Sequence, residues 1–185
     1  LVSELGSKEK KGAKQSPSLK ARALRLLSLR EYSRKGMAAK LAESEQRWLR
    51  LAKTDAEAGS SADPGSLPVK STAIEIDAIL DDFEARGWLS DDRFAEALVR
   101  RRSDRYGIRK IQDELKRAGV DSSKSAPLLK TLKETEYQRA YELWSRKFGA
   151  PAKDQKEKAK HYRFLASKGF SSEVVVKVIA GQPQD

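Results

Sequence analysis

"ALVRRRSDRYGIRKIQDELKRAG", Ala97 to Gly119, is the stretch whose reading decides the fold. Its second half places Ile108, Ile111, Leu115 and Ala118 at the three- and four-residue spacing of one helical face, then ends on Gly119. Glycine enters the left-handed conformation after a last helical turn without a Cβ penalty, so the helix is expected to stop there. The first half sets Arg100, Arg101, Arg102 and Arg105 ahead of Tyr106 and Gly107, and Arg109 and Lys110 open the following helix.

The same phase recurs. "EYSRKGMAAKL" (31–41) overlays "RYGIRKIQDEL" (105–115), pairing Tyr32 with Tyr106, Ser33 with Gly107, Met37 with Ile111 and Leu41 with Leu115, while Leu24 pairs with Leu98 upstream. A divergent third copy is "KFGAPAKDQKEKAKHYRFL" (147–165), with Phe148 and Gly149 as its aromatic-small pair and Leu165 answering Leu115 after a longer loop containing Pro151. A common stop, an apolar residue followed by glycine four places on, occurs at Phe83 to Ser90, Leu115 to Ser122 and Leu165 to Ser172. Units of this size cannot each bury an apolar face alone and lean on their neighbours. The expected fold is all-α, with three tandem three-helix repeats forming an elongated, curved array.

Boundaries follow from the stripes. Residues 1–17 are lysine-rich and without apolar period, which predicts a disordered basic tail. The first repeat, 18–89, carries Leu19, Ala23, Leu26 and Leu27; then Met37, Leu41 and Trp48 with Ser33 as cap; then Ile76, Ile79, Leu80 and Phe83 up to Gly87, with Trp88 packing back on the last turn. Within it "DAEAGSSADPGSLPVKST" (55–72) reads as a flexible linker. The second repeat, 90–134, opens on Ser90 as a cap, with Asp91 and Asp92 suiting the helix dipole and Phe94, Ala97 and Leu98 as buried face. Ala126, Leu128, Leu129 and Leu132 mark its shorter last helix. The third repeat, 135–181, shows Tyr137, Ala140, Tyr141 and Trp144, then Ala159, Tyr162, Leu165 and Ala166, then Val174, Val175, Val178 and Ile179. The valine run "EVVVKVI" is β-prone, but Ser171 and Glu173 form a helix start.

Charged residues are 35% of the chain and hydrophobic ones 38%, so the apolar faces must be narrow. The 38 Lys and Arg against 27 Asp and Glu give a net charge of +11, which favours nucleic acid or an acidic protein surface as partner. There is no cysteine and one histidine, and no P-loop or dinucleotide fingerprint, which excludes nucleophilic triads and His-containing metal clusters. We read no enzyme, no cofactor and no metal. His161 is expected at the surface or an interface, and Asp77, Asp81, Asp82 and Glu84 as a solvated helix face. Trp48, Trp88 and Trp144 lie on or beside apolar stripes, which assigns them to packing ahead of base stacking. No apolar run reaches membrane-spanning length and no export signal is evident, so a cytoplasmic protein without membrane contact is expected.

Phe94, Leu98, Arg101 and Arg105 follow one another along a single helical face, which turns from apolar to guanidinium. Cations near a helix C-terminus gain about 0.3–1 kcal/mol from the dipole. Against that, Arg100, Arg101, Arg102 and Arg105 repel one another, with Glu96 and Asp104 as the only local acids, and Arg109 and Lys110 stand where the dipole disfavours them. A bound anion would relieve both. Equivalent elbows hold Arg30, Arg34 and Lys35 in the first repeat and Arg146 and Lys147 in the third, and Lys116 and Arg117 complete the candidate set. Such a stripe suits phosphates or an acidic protein wall; phosphates alone predict a log-log salt slope of about -0.9 per contact on duplex DNA.

Three phrases, "LSDDRFAEALVRRR", "RYGIRKIQDELKRAGV" and "HYRFLASKGFSSEVVVKVI", resemble the RecX family, bacterial regulators of the RecA recombinase, within a likeness covering about Ser18 to Gly181. The resemblance implies a negative regulator of homologous recombination and the SOS response that lies in the helical groove of the RecA–DNA filament. It implies inhibition of RecA ATPase, strand exchange and coprotease activity, with single- and double-stranded DNA contacted electrostatically by a monomer. "SEQRWLRLAKTDAEAGSSADPGSLPVKST" (44–72) departs from the family pattern by a longer second helix and linker. The competing reading is a stand-alone helix-turn-helix-like DNA-binding protein.

Overall fold

Side-chain oxygens set most of the helix starts. The Ser18, Ser33, Ser90 and Asp154 side chains accept from the backbone N–H three residues on, at 3.2, 3.0, 3.3 and 2.7 Å, and Asp121 accepts from Ser123 N–H at 2.7 Å. Each satisfies a donor that the first helical turn leaves unpaired. In the computed structural model, which describes residues 17–57 and 69–181, these starts yield nine helices and no strand among the described residues. They are α1 Leu19–Leu27, α2 Arg34–Glu57, α3 Val69–Ala85, α4 Asp91–Arg102, α5 Ile108–Arg117, α6 Ser122–Glu134, α7 Glu136–Phe148, α8 Gln155–Ser167 and α9 Ser172–Ala180. The helices pack in threes, α1 to α3, α4 to α6 and α7 to α9, each around its own core, so the fold is a tandem helical array.

The three glycine stops have one geometry but not one place in the repeat. Gly87, Gly119 and Gly169 hold φ of 69°, 80° and 84°, and the next residue's N–H returns to Phe83, Leu115 and Leu165 carbonyls at 2.8, 3.2 and 3.4 Å. Gly119 and Gly169 end second helices, whereas Gly87 ends the third helix of its unit. In the register of Leu41, Leu115 and Leu165, Glu45 stands where the other units have their stop, and α2 runs on to Glu57, 24 residues in all. The linker expected over 55–72 is therefore shorter: 55–57 finish α2 and 69–72 open α3, with the remainder outside the described residues. The expected tail also lies outside them, except for Pro17, whose carbonyl accepts from Arg22 Nε at 2.7 Å. Phe148 and Gly149 end α7 and do not open α8, a start that falls to Asp154.

Met37 and Ile111 occupy equivalent fully buried positions, and the third unit places His161 there, 5% exposed. His161 is thus a core residue and not a surface one. Its Nδ1 accepts from Trp144 Nε1–H at 3.1 Å, and its ring stacks on Phe148 at 3.8 Å, which is how a polar ring is accommodated at an apolar site. His161→Leu keeps the apolar character of the position but leaves the indole N–H buried without an acceptor, so urea unfolding should show a loss of about 1–3 kcal/mol. Adding Trp144→Phe removes the orphaned donor, and the pair should then lose less than the sum of its singles. Strict additivity would mean that the bond contributes nothing.

Other faces are rotated from expectation. On α8 the buried side is His161 and Leu165, with Phe164 packed against the core, while Ala159, Tyr162 and Ala166 are exposed. Ala95 is fully buried on α4, and α6 starts at Ser122 and buries Ser125, leaving Ala126 outside.

Successive units dock through one joint used twice. Ser33 Oγ donates to Ala118 O at 2.7 Å, and Arg34 N–H donates to Asp91 Oδ1 at 2.8 Å. Gly107 N–H donates to Lys168 O at 3.0 Å, and Ile108 N–H donates to Glu136 Oε1 at 2.9 Å. Ser33 matches Gly107, Ala118 and Lys168 each precede a stop glycine, and Asp91 and Glu136 each begin the next unit's first helix. Glu136 is 1% exposed; it also accepts from Ser171 N–H at 3.3 Å and Ser171 Oγ–H at 2.9 Å. One buried carboxylate thereby serves the N-termini of both α5 and α9.

Arg139 completes this second joint. Its guanidinium donates to Ser103, Tyr106 and Leu132 carbonyls, each at 2.8 Å, fixing the turn between α4 and α5. Burial lowers its pKa below the usual arginine value against the opposing pull of Glu136 and Asp104, and a guanidinium so placed stays charged at neutral pH.

Candidate functional site

The joint between the first and second units leaves an open groove of about 440 Å³. Its walls are the turn before α2, the first turns of α2, the outer side of α4 and the end of α5. Arg30, Lys35 and Lys40 line it from the first unit, and Arg101, Arg102 and Arg117 from the second, against the two carboxylates Glu31 and Glu114. Arg102 Nε bonds Glu114 at 2.9 Å, Arg93 holds Glu31 at 3.0 Å, and Lys40 meets Glu43 at 2.7 Å. Among the described residues, Arg30, Lys35, Arg101 and Arg117 join no ion pair. Tyr32, Phe94 and Leu98 give the groove low-dielectric walls, and Arg30 lies 4.5 Å over the Tyr32 ring. Like charges gathered over such walls concentrate a positive field and favour an anionic occupant.

The candidate cations separate into groups. Arg30, Lys35, Arg101, Arg102 and Arg117 converge in the groove. Lys110 lies over the Tyr106 ring at 4.4 Å, with Arg102 at 5.4 Å and Lys168 at 5.7 Å, so this ring gathers three cations at the second joint and Arg102 links it to the groove. Arg100, Arg105, Arg109 and Lys116 are exposed outside the groove lining.

Arg34 turns inward to its own unit, meeting Glu84 at 2.7 Å, Asp81 at 2.8 Å and Asp77 at 3.6 Å. Burial alone would lower its pKa, but hydrogen bonds to Asp81 and Glu84 outweigh it and the net shift is upward. The acidic face of α3 is therefore in use, because Asp82 also meets Lys20 at 2.9 Å and Arg86 at 2.6 Å. Arg146 lines a separate pocket with Tyr141 and Glu142 on α7, and neither it nor Lys147 reaches the groove. The third elbow does not join the first two there.

Sequence reasoning missed Lys40, Lys168, Arg139 and Glu136. Lys168 had a readable signal, since it precedes Gly169 as Ala118 precedes Gly119. Beyond the local acids Glu96 and Asp104, Glu114 reaches Arg102 from the next helix and offsets it. Trp144 is buried, Trp88 meets Phe83 edge-on at 5.4 Å while 43% exposed, and Trp48 lines a second groove. Among the described residues no helix is long and apolar enough to cross a membrane.

Fold and groove together define an all-helical tandem-repeat protein that presents cations between its units. Family models described as the second and third three-helix domains of RecX match residues 90–124 and 134–179. The chain is 40% identical over 162 residues to the regulatory protein RecX of Leptothrix cholodnii, covering 88% of this chain and 87% of that one. It is 38% identical to that of Ralstonia pickettii, covering 91% and 90%, and 34% identical to that of Chromobacterium violaceum, covering 94% and 96%. The chain belongs to the RecX family, whose members matched here are regulatory proteins.

Proposed function

We propose that this chain is a negative regulator of homologous recombination and the SOS response. It binds the RecA–DNA filament along its helical groove and inhibits RecA ATPase, strand exchange and coprotease activity. The observation that carries this reading is the groove between the first two units, where six cations face two carboxylates. Arg30, Lys35, Arg101, Arg102 and Arg117 are its central contacts, with Arg100, Arg105, Arg109, Lys110 and Lys116 flanking. Units in series gain avidity when each contact need only be weak, which suits a monomer acting in the cytoplasm on a periodic filament.

The stand-alone helix-turn-helix reading requires the first residues of a unit's second helix to enter the major groove of DNA. In the first two units those residues face the next unit, where Ser33, Arg34, Gly107 and Ile108 are bonded across the joints, which favours the filament reading for α2 and α5. The test is RecA ATPase on single-stranded DNA with this protein added below one copy per RecA protomer. Hydrolysis should fall, and a flat response at every dose removes the proposal.

A further inference from the structure

The missing stop at Glu45 carries α2 past the point where α5 and α8 end, and the added turns bear Arg47 and Trp48. With α1 they enclose a groove of about 360 Å³. Trp48 is half-buried, yet it is not packed against the first core and makes no ring contact among the described residues. Leu29, 74% exposed, stands with it on the groove wall. An aromatic face and an exposed leucine that serve no core need another reason to share a cleft.

The charges of the cleft are unbalanced. Arg22 is committed to Glu45 at 2.9 Å and Ser44 at 3.0 Å. Arg25 joins no ion pair among the described residues. Lys40 and Arg47 share the single carboxylate of Glu43, at 2.7 and 3.7 Å. Lys40 also lines the basic groove between the first two units, so one lysine borders both clefts.

We propose that the cleft between α1 and α2 accepts an unpaired nucleobase of single-stranded nucleic acid. Trp48 stacks on the base while Leu29 packs against it, and Arg25 and Arg47 hold the phosphates on either side. Stacking demands a base whose faces are uncovered, which a duplex does not offer, and cations beside an aromatic platform are how single strands are held without sequence preference. This rests on the reading above and deepens it by naming the polyanion at this cleft as an unpaired strand. Its binding titrations need no RecA, so that either idea can fail alone.

The experiment titrates the full chain against a fluorescent oligo-dT, against an abasic sugar-phosphate strand of equal length, and against duplex. The unmodified chain should prefer oligo-dT to the abasic strand by about tenfold, within the range expected for stacking one base. Trp48→Leu should erase that preference while leaving abasic affinity and helical circular dichroism unchanged, and Trp48→Phe and Trp88→Leu should keep it. Arg25→Gln with Arg47→Gln should weaken both strands alike and flatten the salt dependence. Equal binding of oligo-dT and abasic strand by the unmodified chain overturns the proposal, as does a preference that survives Trp48→Leu. Loss of RecA inhibition by Trp48→Leu with single-strand binding intact would assign the cleft to a protein and overturn it equally.

Discussion

Gly107→Ala is expected to undock the third unit from the second, at a cost of about 3 kcal/mol or more, the upper end of what overpacking does. Its backbone is ordinary, with φ of -78°, so conformational freedom is not why glycine is there. A Cβ would lie 2.3 Å from Gly169 O and from the backbone N and Cα of Phe170. All three are main-chain atoms that cannot rotate aside. Moving them breaks the bonds from Gly107 to Lys168 O and from Arg109 N–H to Gly169 O, and draws Ile108 and Ser171 away from Glu136.

Gly87→Ala is the control. It carries φ of 69° with nothing within 4 Å of a new Cβ, so it should lose only the roughly 1–2 kcal/mol of left-handed strain. Hydrogen exchange should rise at the starts of α5 and α9 in Gly107→Ala and stay protected there in Gly87→Ala. Equal losses from the two substitutions would show that the joint is not close-packed.

The equivalent joint tolerates a serine because Ser33 approaches through its hydroxyl, which bridges to Ala118 O. This is why the match of Ser33 with Gly107 could be seen in the sequence while its meaning could not. The overlay of "EYSRKGMAAKL" on "RYGIRKIQDEL" rests on local periodicity, and local periodicity survives in one dimension. Met37, Leu41, Ile111 and Leu115 are accordingly all in their cores. The caps at Ser33 and Ser90 and the stops at Gly87, Gly119 and Gly169 were legible for the same reason.

What escaped depends on contacts between distant residues. Glu136 looks like any acid in a first helical turn, and only the docked units reveal that it serves two helix starts 28 and 35 residues away. Arg34 shares its elbow with Lys35, yet the acids that claim it lie 43 to 50 residues ahead on α3. The sequence alone points His161 to the surface or an interface, because a polar ring disfavours burial until a partner such as Trp144 is known. For the candidate site, charge pattern identified the cations but not which of them face one space. Geometry selects Arg30, Lys35, Arg101, Arg102 and Arg117 and leaves Arg146 and Lys147 elsewhere.

That selection gives the prediction with the largest functional effect. Arg101 and Arg117 face the groove from α4 and α5 and join no ion pair among the described residues, so reversing them disturbs no internal bond of that kind. A charged contact is worth about 1.5–3 kcal/mol, and losing two should weaken the interaction by roughly a hundredfold or more. Arg146→Glu with Lys147→Glu makes the same change in net charge outside the groove. If inhibition depended on net charge alone, the two double variants would behave alike.

The direct measurement is RecA ATPase inhibition, dose by dose, for the unmodified chain and both double variants, with helical content checked by circular dichroism. Arg101→Glu with Arg117→Glu should need at least a hundredfold more protein, while Arg146→Glu with Lys147→Glu should stay within a few fold of the unmodified chain. Equal loss in both variants, or full inhibition by the groove variant, would contradict the assignment of function to the space between the first two units.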